Sequence, residues 1–570
     1  MERINLRVFK RFWAIAKSYW FSDEKWKARG LLLLTVLLLL AFTGLSVLLN
    51  NKRGVLISAL SAKDESRFWE TVLIFVAVLV VYAPLYAGYT YLRDRLGLEW
   101  RRWLTGRFLH NYFDNRSFYR IQQFNLDIDN PDQRIAEDVK SFTLESLKFL
   151  LVFASSALQV IAFSGVLWGI SKSLVGFLAL YALLGTLVTV VIFGKPLVRL
   201  NFEQLKKEAN FRFSLVRIRE NAEAIAFYRG EEQESGQVRQ RFMEAFENFK
   251  RLLFWELNLN ALTNAYEFIP YILPAIVVAP VVFAGEIEVG KVTEAQGAFV
   301  RVFFSLNVIV DQFQALTSFG AGIDRLYDFA NCLEELEPDE GEDEKPAIAT
   351  VPSPQLALQN LTLQTPNHQR TLVEHLTLEL PTRQGLLVVG PSGCGKSSLL
   401  RAIASLWTSG SGTIQRPDLD HMLFLPQKPY MILGSLREQL IYPNTESDLS
   451  DDQLRDILKQ VNLPHLEERF DGLNAQEEWG DVLSLGEQQR LTFARILVNR
   501  PDYAILDEAT SALDLNNEEK LYDHLQATGT TFLSVGHRLS LARHHDLVLA
   551  LSEDHGWEIK SPEQLLVSGE

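Results

Sequence analysis

The chain of 570 residues is expected to fold as an all-α membrane domain of six spanning helices fused to an α/β domain of the phosphate-loop type. Three observations lead there. Apolar runs long enough to cross a bilayer occur only before about residue 334. A glycine-rich loop, GPSGCGKSS from Gly390, lies between an apolar strand and the start of a helix. A second strand, YAILDE from Tyr503, ends in two adjacent carboxylates. The formal net charge of -14 argues against a nucleic-acid partner, because polyanions repel one another. Two cysteines, Cys332 and Cys394, are too few for a disulfide framework and point to a reducing, cytosolic setting.

The first span is the run GLLLLTVLLLLAFTGLSVLL, Gly30 to Leu49, with 20 residues and no charge. At ~1.5 Å per residue it matches the roughly 30 Å hydrocarbon layer of a bilayer. Residues 71–91, 147–170, 174–193 and 261–284 read the same way, and a sixth stretch, about 295–319, carries Arg301 and Asp311. Residues 1–29 hold eight Lys/Arg against three acids, and 195–251 hold twelve basic residues. Positive loops stay in the cytosol, which places the N-terminus and everything after the sixth span on that side.

Segments 93–145 and 195–251 have spaced Leu, Phe and Ile among charges, so the spanning helices are expected to continue into the cytosol. Residues 1–29 include VFKRFWAIAKSYW, Val8 to Trp20, either a helix in the membrane interface or a plain elbow into the first span. The membrane domain is taken as 30–333, followed by an acidic linker, 334–350, and the nucleotide-binding domain, 351–570. Glu334 to Glu344 has eight acids in eleven residues, the composition of a hydrated linker. Within the spans, Glu267, Arg301 and Asp311 either line a polar cavity or pair helix to helix. Pro270, Pro274 and Pro280 are expected to bend the fifth span.

The glycine loop carries the chemistry. Gly390, Gly393 and Gly395 let backbone N-H groups curl around a β-phosphate, with Pro391, Ser392, Cys394 and Ser398 completing the cradle. Lys396 reaches the β and γ oxygens and the Ser397 hydroxyl ligates Mg²⁺, so ATP and Mg²⁺ are the expected cofactors. Asp507 would hold the metal while Glu508 polarises the water that attacks the γ-phosphate. His537, after the strand TTFLSV, would align that water, and Gln427 in FLPQKPY would touch both metal and water.

A second anion-binding helix end appears in VLSLGEQQRLTFARI, residues 482–496, where Ser484, Gly486 and Glu487 begin an amphipathic run. One chain needs only one cradle for its own β-phosphate. The second end, with Asp514 of the SALD loop (Ser511 to Asp514), therefore suits the γ-phosphate of a nucleotide held by another copy, which makes a homodimer the expected partner state.

These motifs in this order resemble the nucleotide-binding domain of ATP-binding cassette (ABC) transporters over roughly 356–562. WTSGSG near Trp407, FLPQKPYMILGSLREQLIYP from Phe424 and HGW from His555 resemble the peroxisomal acyl-CoA transporter subfamily, subfamily D. NPDQRIAEDV, Asn130 to Val139, and ENAEAIAFYRGE, Glu220 to Glu231, are similar to that subfamily's cytosolic extensions and to bacterial BacA and SbmA relatives. The resemblance implies an exporter-type fold, with two chains exchanging helices and short coupling helices seated on the partner ATPase. It implies ATP-driven movement of a lipid-like, cobalamin or peptide substrate across a bilayer, here a bacterial plasma membrane. Two departures stand out: Leu485 replaces a glycine of the usual signature, and no aromatic residue between Thr350 and Gly390 offers itself to adenine. The alternative reading is an ATP-gated channel or regulatory membrane protein with little hydrolysis, against which Glu508 and His537 argue.

Overall fold

The computed structural model describes residues 5–123, 128, 130–336, 347–366 and 368–567, arranged in two compact units, Met1–Pro338 and Asp339–Glu570. Most of the acidic linker, 337–346, lies outside the described residues.

The membrane unit is helical throughout. Its long elements are α1 (Asn5–Trp20), α2 (Lys25–Ser61), α3 (Glu65–Phe113), α4 (Val139–Ile170), α5 (Lys172–Thr189), α6 (Lys195–Glu220), α7 (Glu231–Phe283), α8 (Gly290–Asp311) and α9 (Phe313–Glu335). Among the described residues five helical stretches are long and apolar enough to cross a membrane: Lys25–Ser61, Glu65–Gln123, Pro131–Ile170, Lys172–Glu220 and Glu231–Phe283. The 49 residues of α3 rise to more than ~70 Å, twice the hydrocarbon thickness, so the helix runs well past the bilayer.

α7 remains one helix of 53 residues across Pro270, Pro274 and Pro280; spanning helices tolerate proline where neighbours satisfy the freed backbone groups. The expected sixth stretch is not one helix. Gln312, at φ -94° and ψ 2°, leaves helical geometry and divides α8 from α9.

Close backbone contacts join α2 to α8. The Gly290 amide donates to the Ser58 hydroxyl at 3.0 Å, and a Cβ on Gly54 would meet the Gly290 carbonyl at 2.8 Å. α1 packs on α3 and α9: the Tyr19 and Trp100 rings stack at 5.6 Å, and Arg11 bridges Asp324 at 2.6 Å and Asp328 at 3.2 Å. Phe9 and Trp13 of the same helix are exposed, as an aromatic helix face at a membrane interface would be.

The second unit holds two sheets. One has the order β1 (Ala349–Pro352), β5 (Gly410–Arg416), β2 (Leu356–Gln364), β3 (Thr371–Leu380). The other has the order β10 (Trp557–Lys560), β9 (Leu547–Leu551), β4 (Gly385–Val389), β8 (Thr531–Val535), β7 (Tyr503–Asp507), β6 (Met422–Leu425), and is parallel except for β10. Its central strands are apolar runs because both faces are covered. Leu386 and Val388 pack with Leu399 and Ile403 of α10 (Lys396–Ile403), whereas Leu387 packs with Leu491 and Phe493 of α11 (Leu485–Asn499) and Leu521 of α12 (Leu515–Thr528).

Candidate active site

Parallel strands deliver their following loops to one edge of the sheet, where ligands bind in open α/β folds. The phosphate loop follows β4, His537 follows β8, Asp507 and Glu508 end β7, and Gln427 follows β6. These strands are consecutive neighbours, about 4.8 Å apart. Four motifs scattered over 150 residues of sequence thus meet at one edge.

The loop is shaped by its glycines. Gly390, at φ +151°, would drive a Cβ to 2.5 Å from the Leu551 carbonyl, so no side chain fits there. Gly393, at φ +82°, instead faces open space, the inside of a cradle. Pro391, Ser392 and Gly393 are exposed at the crest, Cys394, Gly395 and Lys396 are buried beneath, and Ser397 and Ser398 are half-buried. The Lys396 ammonium donates to the carbonyls of Gly390 and Pro391 at 2.7 and 2.8 Å, which closes the loop around its own charge.

Beside it the Ser397 hydroxyl donates to Asp507 Oδ1 at 3.2 Å. A hydroxyl and a single carboxylate are the hard oxygen donors that Mg²⁺ takes along with phosphate oxygens. The residues therefore fit the expected metal, which would be held by Ser397 and Asp507. Burial pushes the Asp507 carboxyl above its usual range and nearby Glu508 adds to the rise, with the Ser397 hydrogen bond opposing both. A cation at this position would relieve that penalty.

Glu508 has both oxygens engaged. Gln427 Nε2 donates to Oε2 at 2.8 Å and His537 Nε2 lies 3.1 Å from Oε1. Its backbone sits in the left-handed region at φ +49°, and its amide donates to the Val535 carbonyl of β8 at 3.1 Å. A non-glycine residue held there stores strain that the surrounding structure must overcome, as functional sites commonly do. Glu508, Gln427 and His537 form one hydrogen-bonded set able to orient and deprotonate a water.

The second anion-binding end is built differently. Ser484 caps α11 through a reciprocal box: its hydroxyl accepts from the Glu487 amide at 3.3 Å, and Glu487 Oε2 accepts from the Ser484 amide and hydroxyl, both at 2.8 Å. Arg469 holds the other Glu487 oxygen at 3.0 Å. Burial raises the Glu487 carboxyl, but the hydrogen bonds from Ser484 and the charges of Arg469 and Arg490 outweigh it, and the net direction is down. Leu485 is exposed beside it. Among the described residues no hydrogen bond or ion pair connects Ser484, Gly486 or Glu487 to the phosphate loop. Asp514 caps α12, accepting from the Asn517 amide at 2.7 Å.

Three residues that sequence reasoning passed over link these parts. Gln489 of α11 donates to the Ser511 hydroxyl at 3.1 Å and accepts from the Ala512 amide at 2.9 Å. Arg538, next to His537, donates to the carbonyls of Leu513 and Ser511 at 2.8 and 2.9 Å. Arg495 of α11, its guanidinium pushed down to about 10 by burial, donates to the Tyr430 and Gln439 carbonyls and so anchors the segment after Gln427. The helix that Ser484 begins is thereby tied to the SALD loop, the His537 loop and the Gln427 loop.

A multi-span helical unit joined to this loop cluster defines a membrane-embedded phosphate-loop ATPase. The family described as ABC transporter transmembrane region 2 matches residues 15–283, and the ABC transporter ATPase family matches 373–511. An uncharacterised ABC transporter ATP-binding protein of Synechocystis is 48% identical over 559 residues, covering 96% of this chain and 84% of that protein. The chloroplastic ABC transporter D family member 2 of Arabidopsis thaliana is 39% identical over 625 residues, covering 97% and 88%. The human lysosomal cobalamin transporter is 32% identical over 597 residues, covering 98% and 97%. The chain belongs to the ABC transporter family, with D-branch members among its relatives. It is an integral membrane protein that binds and hydrolyses ATP.

Proposed function

We propose that the protein works as a homodimer in which each ATP is held between the phosphate loop of one copy and the Ser484 helix end of the other, driving alternating access for an amphipathic or hydrophobic substrate. The observation that carries this reading is the separation of the two anion-binding ends: among the described residues the Ser484 end bonds to its own capping residues and the loops beside it, and not to the phosphate loop. An exposed helix end that meets no phosphate-loop residue of its own chain among the described residues suits a γ-phosphate presented by a second copy.

In this reading Lys396 binds the phosphates, Ser397, Asp507 and Gln427 hold Mg²⁺, Glu508 accepts the proton of the attacking water, and His537 keeps that carboxylate oriented. Mg²⁺ supplies charge neutralisation at the β and γ oxygens. Loss of the γ-phosphate removes the contact on Ser484 and Gly486, and the ties from Gln489 and Arg495 pass that change to the SALD and Gln427 loops.

Exposed apolar residues along the cytosolic lengths of α6 and α7, among them Phe202, Leu205, Phe213, Phe254 and Leu257, support burial against a second copy. The basic cytosolic segments support an N-terminus and ATPase unit inside the cell, in a bacterial inner membrane. The human relative's name supports cobalamin as substrate, and the resemblance of the motifs to subfamily D and its bacterial relatives supports an acyl-CoA, another lipid-like molecule or a peptide. The test is complementation. A Lys396→Ala chain and a Ser484→Ala chain, each inactive as a homodimer, are expected to recover ATP turnover when mixed, because one composite site of the heterodimer is intact. No recovery in any mixture would end the shared-site reading.

A further inference from the structure

The direction of the Ser484 hydroxyl proton decides what the second helix end can bind. That hydroxyl donates to Glu487 Oε2 at 2.8 Å. An ionised phosphate oxygen only accepts hydrogen bonds, so Ser484 can serve it only by turning its proton away from the carboxylate. Two acceptor oxygens around one hydroxyl lie about 4.6 Å apart, taking ~2.8 Å for each bond and a tetrahedral angle between them. Glu487 would thus lose a donor and at the same moment face a second anion at close range.

Arg469 is placed to offset that charge. Its guanidinium reaches the other carboxylate oxygen, Oε1, at 3.0 Å and also donates to the Val482 carbonyl at 2.9 Å. The guanidinium carbon lies 4.8 Å from the centre of the Phe470 ring, which packs edge-on against the buried Trp479 at 5.1 Å. These contacts fix the guanidinium on Oε1 without using the Ser484 hydroxyl, so the pair persists when that proton turns. Arg490, three residues along α11, lends its charge to the carboxylate, but among the described residues it forms no ion pair with it.

We propose that Arg469 is a positioning residue of the shared nucleotide site: it neutralises Glu487 while the Ser484 hydroxyl passes from that carboxylate to the γ-phosphate of ATP held by the second copy. No covalent bond forms or breaks in this step; the hydroxyl rotates and keeps its proton. The inference rests on the shared-site reading and adds to it the cation that lets a second anion approach an end already bearing one. ADP, which lacks a γ-phosphate, does not depend on this step.

The full-length protein in nanodiscs tests it through the KM for ATP and the affinity for ADP. Arg469→Gln is expected to raise the KM about tenfold or more, the size of one charge-assisted hydrogen bond, with kcat changing less and ADP affinity unchanged. Arg469→Lys keeps the charge and is expected to recover most of that loss. Removing the charge that needs holding should make Arg469 dispensable. Arg469→Gln combined with Glu487→Gln is expected to return the KM to within about threefold of Glu487→Gln alone, a rescue that loss of the Val482 or Phe470 contacts does not allow. An unchanged KM in Arg469→Gln, a loss that Glu487→Gln does not relieve, a Lys variant as impaired as the Gln variant, or a parallel fall in ADP affinity would each overturn the proposal. Should Arg469→Gln fail to fold, Glu487→Gln alone is the test: with the cation left to face the γ-phosphate its KM should fall, and an unchanged or higher KM overturns the role of Arg469. Recovered turnover in the mixture of Lys396→Ala and Ser484→Ala chains alongside a failure here strikes only Arg469, whereas no recovery in that mixture strikes the shared site itself.

Discussion

The two helix N-termini offered to phosphate, at Lys396 and at Ser484, differ in how their backbone groups are arranged. At the first, glycines with positive φ bend the chain into a loop that Lys396 closes from beneath, the backbone form that makes an anion-binding concavity. At the second, an ordinary serine cap and a glutamate satisfy the helix end, which remains a shallow, exposed surface. A cradle can hold a nucleotide alone. A capped end can only add to one already held, so the proposed reading gives the first to binding and the second to assembly.

The largest effect should come from breaking the cradle side. Lys396→Ala is expected to lower ATP turnover about 10²–10³-fold together with nucleotide binding. Glu508→Gln is expected to lower turnover about 10²–10⁴-fold while ATP still binds, which a filter-binding assay beside a phosphate-release assay would separate. Parallel losses of binding and turnover in Glu508→Gln would remove its role as base.

The same substitution at the two ends sharpens the contrast. Gly390→Ala forces a Cβ to 2.5 Å from the Leu551 carbonyl at φ +151°, and it should abolish nucleotide binding and lower the melting temperature. A Cβ on Gly486 meets the Ala512 carbonyl at an ordinary 3.5 Å. Gly486→Ala is thus expected to melt like the unmodified protein and bind ATP, yet turn it over slowly because the approach of a second copy is obstructed. A normal turnover rate in Gly486→Ala would remove that end from the catalytic cycle.

Ser484→Ala loses a cap worth ~1 kcal/mol, which for an ATPase unit of this size is about 2–4 °C in melting temperature. The smallest effect is electrostatic. The Glu487 carboxyl is held below its ordinary value, so its ionised form contributes stability above the ordinary carboxylate pKa, and that contribution is lost as pH falls through the lowered one. Glu487→Gln keeps the amide-compatible box and removes the charge. The melting-temperature gap between the unmodified protein and Glu487→Gln should be present at pH 6 and shrink toward zero in acid; a gap that does not change with pH would refute this assignment.

Much of the membrane unit was legible because bilayer thickness is a length, and a run such as Gly30 to Leu49 can be measured against it. The phosphate loop was legible because its glycines, Lys396 and Ser397 are contiguous. Less could be read where contacts span long stretches of chain. The division of the last apolar stretch at Gln312 has no proline or glycine beside it to announce it. Arg495 meets Gln439 across 56 positions, and neither residue is unusual in its local pattern. Arg538 carried one signal, its place directly after His537, and a residue adjacent to a candidate site residue is well set to fix that residue's loop.

The order of residues along the chain was enough to establish a membrane half, a nucleotide half and the chemical kinds of group that serve ATP, since those follow from hydrophobic run length and from short contiguous motifs. Folding in three dimensions settled that β4, β8, β7 and β6 lie side by side, so that Lys396, His537, Glu508 and Gln427 share one edge. It also set Arg469 against Glu487. Strand neighbours and helix faces are chosen by packing between residues far apart in sequence, where covering both faces of the sheet and pairing charge that leaves water outweigh any local preference.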